Sequence, residues 1–258
     1  MKEVKIGTHK VELYESIEDL PVTRYHRFNK FMLIDAGIGS DLTSLDTRIA
    51  KAIAFINAKD NQSAIIELYN LRQGVFLMQG EITPRHLAFA ALVKSIDGVD
   101  RNDFSESGIK ETLNLLQDCP VKEMDKQIDE IKKKLDSEIE AYVPSLLESS
   151  RVKEYYDKLR DKAVAVCEAY LQGRKPDEDP EVRKITNELL IFSKPSPFFG
   201  ESNEEIRQDK DFEYACLTIS QHLHSDAKNF TTLEYYNALN YIKDMSKEHE
   251  RRTKKLKG

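Results

Sequence analysis

Cysteine is scarce in this 258-residue chain: Cys119, Cys167 and Cys216 are odd in number and far apart. That argues against a disulfide framework, and the lack of any Cys-x-x-Cys pair removes zinc ribbons and thioredoxin-type redox sites. Ten glycines and eight prolines punctuate the chain thinly, so long uninterrupted elements are expected. No apolar run approaches the ~18–20 residues of a membrane helix; the densest, Leu87 to Val93, has seven. No apolar segment of a signal peptide follows Met1-Lys2-Glu3. The expectation is a soluble, intracellularly made protein without membrane contact. Gly-x-Ser-x-Gly, Gly-Lys-Ser/Thr and His-Glu-x-x-His are all missing, and none of the six histidines has a glutamate three residues before it. The residues therefore nominate no catalytic position, no cofactor and no metal site.

Charge is plentiful and slightly negative: 39 Lys+Arg against 45 Asp+Glu give a net charge of -6. At about 150 residues per domain the length suits one large domain or two modest ones. Val4, Ile6, Val11 and Leu13 alternate with polar residues around Gly7-Thr8 and predict a β-hairpin. From Ser16 onward the period is about 3.6. Tyr25, Phe28, Met32 and Leu33 form a helical face stopped by Gly37 and Gly39, and Ser40 or Ser44 caps a helix carrying Leu45, Ile49, Ile53 and Ile56. Ile65, Ile66, Leu68 and Leu71 mark the next helix. Thr83-Pro84 starts another, expected to be the best buried, running through Leu87–Val93 to Gly98; Ser105 begins a shorter one.

Met124, Ile128, Ile131, Leu135 and Ile139 form the narrow seam of a coiled-coil-like helix. A second seam at Val152, Tyr155 or Tyr156, Leu159, Ala163 and Val166 predicts the returning arm of an αα-hairpin turned near Pro144. Arg174–Pro180 has the composition of a linker. Further helices around Val182–Phe192, Glu205–His222 and from Thr231 complete the chain. The expected fold is mainly α, a multi-helix bundle with a small N-terminal β-hairpin and a long projecting αα-hairpin. Its expected parts are 1–118 (hairpin plus bundle), 119–173 (αα-hairpin) and 174–258 (helical region with a basic tail).

Four local features invite a functional reading. Gly37-x-Gly39-Ser40-Asp41 could hold an anion at a helix start, but it lacks a preceding strand and is flanked by acids, so it reads as punctuation. His222-x-His224 with Asp226 would share a metal on a strand, yet the two diverge at a helix end, where histidine complements the dipole. Phe198 and Phe199, in a proline-rich loop, cannot both point inward on a regular element; one is expected to plug the local core and the other to anchor a partner. Arg251, Arg252, Lys254, Lys255 and Lys257 form a basic tail, either a solvated helix end or a contact for nucleic acid or an acidic protein surface. Dispersed acids such as Asp35, Asp41 and Glu67 leave an enzyme as a third class of reading.

The stretches LPVTRYHRFNKFMLIDAGIGSDLTSLDTRIAKAIAFI (Leu20–Ile56), ELYNLRQGVFLMQGEITPRHLAFAALVKSIDG (Glu67–Gly98) and FEYACLTISQHLHSDAKNFTTLEYYNALNYI (Phe212–Ile242) resemble structural-module proteins of crAss-like and related tailed phages. The resemblance implies a non-catalytic virion protein made in the host cytoplasm: a head–tail connector or ring component, forming homo-oligomers and contacting portal or tail components. A neck protein also fits, and the alternative is an assembly factor, a chaperone or scaffold, or an internal cargo protein, binding its partner through the helical hairpin.

Overall fold

The computed structural model describes residues 1–39, 41–80, 82–103, 105–117, 119–143 and 150–256. It is mainly helical, with ten α-helices and four strands among the described residues. The chain divides into two compact units, 1–35 with 82–144 and 205–258, and 36–81 with 145–204. These do not follow the expected boundaries near 118 and 173, because each unit is assembled from separated stretches.

Unit 1 is built on a four-stranded antiparallel sheet in the order β1 (Lys2–Ile6), β2 (His9–Leu13), β3 (Val93–Ile96), β4 (Val99–Asp100). The expected hairpin is thus half of a larger sheet. Register follows the alternation: Ile6, Val11 and Leu13 face the core, and β2 pairs Val11 with Ile96 and Leu13 with Val93. The helix α1 spans Val22–Ile38, and α4 spans Pro84–Leu92 behind a Thr83 cap, with Pro84 opening its first turn. The apolar run Leu87–Val93 is not one helix to Gly98. It straddles the end of α4 and the start of β3, and a short apolar run has no periodicity that could reveal the switch.

Arg24 of α1 is buried at that switch, its guanidinium donating to the carbonyls of Ala91 (3.2 Å), Val93 and Arg101. The Ala91 carbonyl is one that the end of α4 leaves without an intrahelical donor. Burial lowers the Arg24 pKa to about 10. The helices α5 (Glu106–Leu115, capped by Ser105) and α6 (Val121–Tyr142) follow.

All five seam residues of α6 are buried in one cluster with the sheet, α1 and α4. At 1.5–3 kcal/mol per apolar side chain, the seam contributes on the order of 10 kcal/mol before conformational entropy. The charged positions of α6 are tied down as well. Lys2 Nζ donates to Glu130 (2.6 Å), Ile17 N to Glu138 (2.8 Å), and Arg85 to Asp125 and Asp129 (2.9 and 2.7 Å). This helix is therefore part of the unit 1 core and not one arm of a projecting hairpin. A second cluster joins α1 to α9 (Glu204–Leu223) and α10 (Thr232–Leu256) through Val22, Cys216, Ile219, Tyr235, Ala238 and Ile242. At the start of α10, Thr231 and Glu234 form the expected reciprocal cap, with Thr231 N donating to Glu234 Oε2 at 2.8 Å.

Unit 2 contains the last turn of α1, then α2 (Leu42–Asn57), α3 (Asn61–Met78), α7 (Ser150–Leu171) and α8 (Pro180–Leu190). α2 packs on α3 and α8, and α7 packs on α8. Gly37 lies inside α1; Gly39, with φ +80°, ends it. The cap of α2 is Asp41, which bonds reciprocally with Ser44, so Ser44 is a partner in the cap and not the cap itself. Ser40 and the expected turn at Pro144 lie outside the described residues.

The proposed linker is a folded cap. Pro176–Glu178 forms a 3-10 turn, and buried Asp179 accepts the first amides of α8, from Glu181 (2.9 Å) and Val182 (3.2 Å), while pairing with Arg174. The seam expected on α7 is not its packed face. Ala165 and Ala169 are buried, whereas Tyr155, Tyr156 and Leu159 are exposed. Periodicity locates an apolar stripe but does not say what covers it.

Candidate functional site

Phe198 is the core plug of its loop. Its ring fills the space above Gly37, where an added Cβ would lie 2.0 Å from Cε2. Phe199 is half-buried with its ring 4.7 Å from that of Tyr69, and Gln73 Nε2 donates to the Phe198 carbonyl at 3.0 Å. The loop is thus fastened to α3. Arg251, Arg252, Lys254 and Lys255 continue α10, but their side chains, and Lys257 altogether, lie outside the described residues.

The other sequence candidates carry structural duties. His222 Nδ1 approaches the Thr218 carbonyl at 2.9 Å, one turn back on α9, and His224 takes a left-handed φ of +52° just beyond the helix end. Asp41 caps α2. Asp35 faces Arg85 at 3.8 Å. Glu67 is fully buried and ion-paired to Arg48 (2.7 Å) and Lys51 (2.9 Å).

Unit 1 holds a polar cluster that no spacing announces, because its members are about 180 residues apart. His26 Nε2 lies 2.8 Å from one Asp209 oxygen, Lys30 Nζ donates to the other at 3.0 Å, and Lys30 also meets Glu205 at 3.2 Å. The His26 ring stacks on Phe212 with centroids 4.1 Å apart. Burial lowers the His26 pKa, outweighing the hydrogen bond that the ring donates to Asp209, which raises it. For Asp209, burial pushes the pKa up, but its bonds to His26 and Lys30 together hold it below the usual carboxylate range.

A cleft of about 400 Å³ opens beside this cluster, lined in part by Thr23, Arg27, Glu213 and Lys228. A histidine backed by a carboxylate can activate a hydroxyl or thiol within hydrogen-bond reach. Among the described residues, no hydrogen bond joins Thr23 to the ring. Burial pushes the nearby helix's Cys216 thiol up to about 11, the reverse of an activated nucleophile. The geometry is that of a strut fixing α9 to α1.

The larger feature is an apolar surface on unit 2. On α2, Leu42, Ile49, Ile53 and Ile56 are exposed, Ile53 by 53%. On α3, Ile65, Leu68, Tyr69, Val75 and Phe76 are exposed, Phe76 by 62%. The buried positions of the two helices are mostly small or polar instead: Ala52, Ala54, Ser63, Ala64, Asn70 and Gly74, with Phe55 and the ion-paired Glu67. The periodic isoleucines Ile49, Ile53 and Ile56 face outward. Their spacing is legible in the sequence, but the direction they face is not. A comparison with known proteins places the chain beside none of them: no family model, no curated protein and no solved structure matches.

Proposed function

We propose that the chain is a non-catalytic structural subunit of a tailed-phage particle, a connector or ring component of the head–tail region that assembles through helical surfaces. One observation carries the assembly part. The two hydrophobic clusters formed by described residues both belong to unit 1, while unit 2 turns many of its large apolar side chains outward on α2, α3 and α7. Exposed apolar patches beyond a few hundred Å² mark interaction sites on soluble proteins. The resemblance of Leu20–Ile56, Glu67–Gly98 and Phe212–Ile242 to phage structural-module proteins supports the setting. The partners in this reading are further copies of the chain and portal or tail components, with the basic end of α10 available to nucleic acid or to an acidic protein face.

The test is mass spectrometry of purified particles together with light scattering of the isolated protein. Stoichiometric presence in the particle and a discrete oligomer support the reading. Absence from the particle, with a partner captured only during assembly, transfers the chain to the class of assembly factors.

A further inference from the structure

The α2–α3 pair is a nearly uncharged surface. Both helices are fully described, and of all their exposed positions only two carry charge: Asp46 on α2 and Arg72 on α3. Each lies within an apolar stripe at heptad-like spacing. Leu42, Asp46, Ile49, Ile53 and Ile56 recur at steps of four and three, and Ile65, Tyr69, Arg72 and Phe76 at steps of four, three and four. Neither charge has an ion pair within the chain among the described residues; the Arg72 guanidinium lies 6.0 Å over the Phe76 ring of its own helix.

The two charges also stand at the same height. α2 and α3 are joined by three residues and pack on each other, the arrangement of an antiparallel hairpin. From Asp46 to the end of α2 at Asn57, and from the start of α3 at Asn61 to Arg72, the chain advances by the same eleven residues, about 16 Å of helix.

We infer that this face is closed by the same face of a second copy of the chain, in a four-helix arrangement whose two-fold axis runs parallel to the helices. The inference rests on the reading of the chain as a self-assembling subunit and names its surface and partner. Rotation about such an axis keeps every residue at its own height and lays α2 of one copy on α3 of the other. Asp46 then meets Arg72 of the second copy, and the symmetric pair repeats the contact. A two-fold perpendicular to the helices would lay α2 on α2 and α3 on α3; centred at that height, it would set like charge against like, which is destabilising. Equal and opposite charges on an otherwise neutral face suit an isologous contact, in which one patch must complement itself.

The experiment is sedimentation equilibrium or light scattering on the full chain across protein concentration, with circular dichroism to confirm folding. The wild type should self-associate. Asp46→Arg and Arg72→Asp should each weaken association at least tenfold by setting like charges together. The double variant D46R/R72D should return to within about threefold of wild type, because the pair is restored with its signs exchanged. Ile53→Asp should abolish association while leaving the helical spectrum intact. A wild type that oligomerises with all four variants unaffected overturns this surface and leaves self-assembly standing. Weakened single variants without rescue in the double overturn the two-fold pairing. A strict monomer at the highest attainable concentration overturns both the surface and the self-assembly reading. Capture of a different particle protein by that monomer, lost in Ile53→Asp, overturns the second copy as the occupant.

Discussion

Gly37→Ala is the sharpest single test of the unit 2 packing. In an exposed helix interior the change stabilises, because glycine costs roughly 0.5–1 kcal/mol relative to alanine. Here the new methyl would lie 2.0 Å from Cε2 and 2.2 Å from Cζ of Phe198. Ordinary contact begins near 3.4 Å, so the ring must retreat by more than an ångström from a buried seat. Overpacking of that kind costs typically 1–3 kcal/mol, and a displacement this large belongs at the upper end. The penalty wins, leaving Gly37→Ala about 2 kcal/mol less stable.

Phe198→Ala alone should cost about 3–5 kcal/mol. With the ring gone, the steric term vanishes and only the propensity gain remains, so Gly37→Ala should then stabilise by ~0.5–1 kcal/mol. The assay is urea unfolding of the four proteins of this cycle, reading the midpoint at constant m-value. The reasoning fails if Gly37→Ala has the same sign in both backgrounds.

Three further outcomes follow from other parts of the fold. Glu67→Ala strands two cations that the carboxylate neutralises at 2.7 and 2.9 Å; it should cost about 3–5 kcal/mol in urea unfolding. Arg48→Met with Lys51→Met added to it should recover most of that loss. His26 is expected to make stability fall with acid. Its folded pKa is lowered chiefly by burial, so the unfolded state takes up the proton first; its contribution is complete above the unfolded value of about 6.5 and is lost as pH falls through the folded pKa. His26→Gln should flatten the urea midpoint between about pH 7 and 5, and an unchanged slope would contradict the assignment. Thr231→Ala removes the hydroxyl accepting from the Glu234 amide (3.3 Å) at the start of α10. It should lower stability by about 1 kcal/mol at unchanged m-value.

Local chemistry was the legible part of this fold. The β1–β2 hairpin, the caps at Thr83, Ser105 and Thr231, and the α6 seam all follow from neighbouring residues, and all stand in the structure. What one chain does not display is which surface each stripe meets. The α6 seam and the supposed α7 seam have similar periodicity, yet one closes on the sheet and the other stays open beside buried alanines. Leu87–Val93 hid a helix-to-strand switch because seven apolar residues suit either element, and the Arg24 guanidinium that caps the switch comes from about 70 residues away. Of the nominated residues, the loop context shows that one of Phe198 and Phe199 plugs the core, but not that it is Phe198. The His26–Asp209–Lys30 strut was not legible, since no local spacing links α1 to α9.

The outward isoleucines of unit 2 have a physical cause that can be tested. Turning α2 and α3 about their axes could bring Ile53, Ile56 and Leu68 between the helices, and burying each such side chain contributes about 1.5–3 kcal/mol. What opposes that rotation is the triad of Glu67, Arg48 and Lys51, which occupies the interior and is supported by Arg48 donating to the Ala36 carbonyl. Desolvation of buried charges offsets most of what their pairing gains, so the triad alone does not repay an uncovered apolar stripe. The observed rotation is favourable when the stripe is covered. A triple variant that makes the triad apolar, Glu67→Leu with Arg48→Met and Lys51→Met, should preserve folding, since buried ionic groups often yield to apolar residues at no loss. It should also weaken self-association, because nothing then holds the apolar stripes outward. If self-association were unchanged in that variant, the triad would not be what sets the helix rotation, and the turn of α2 and α3 would have to come from their contacts with α8 and with the loop that carries Phe198.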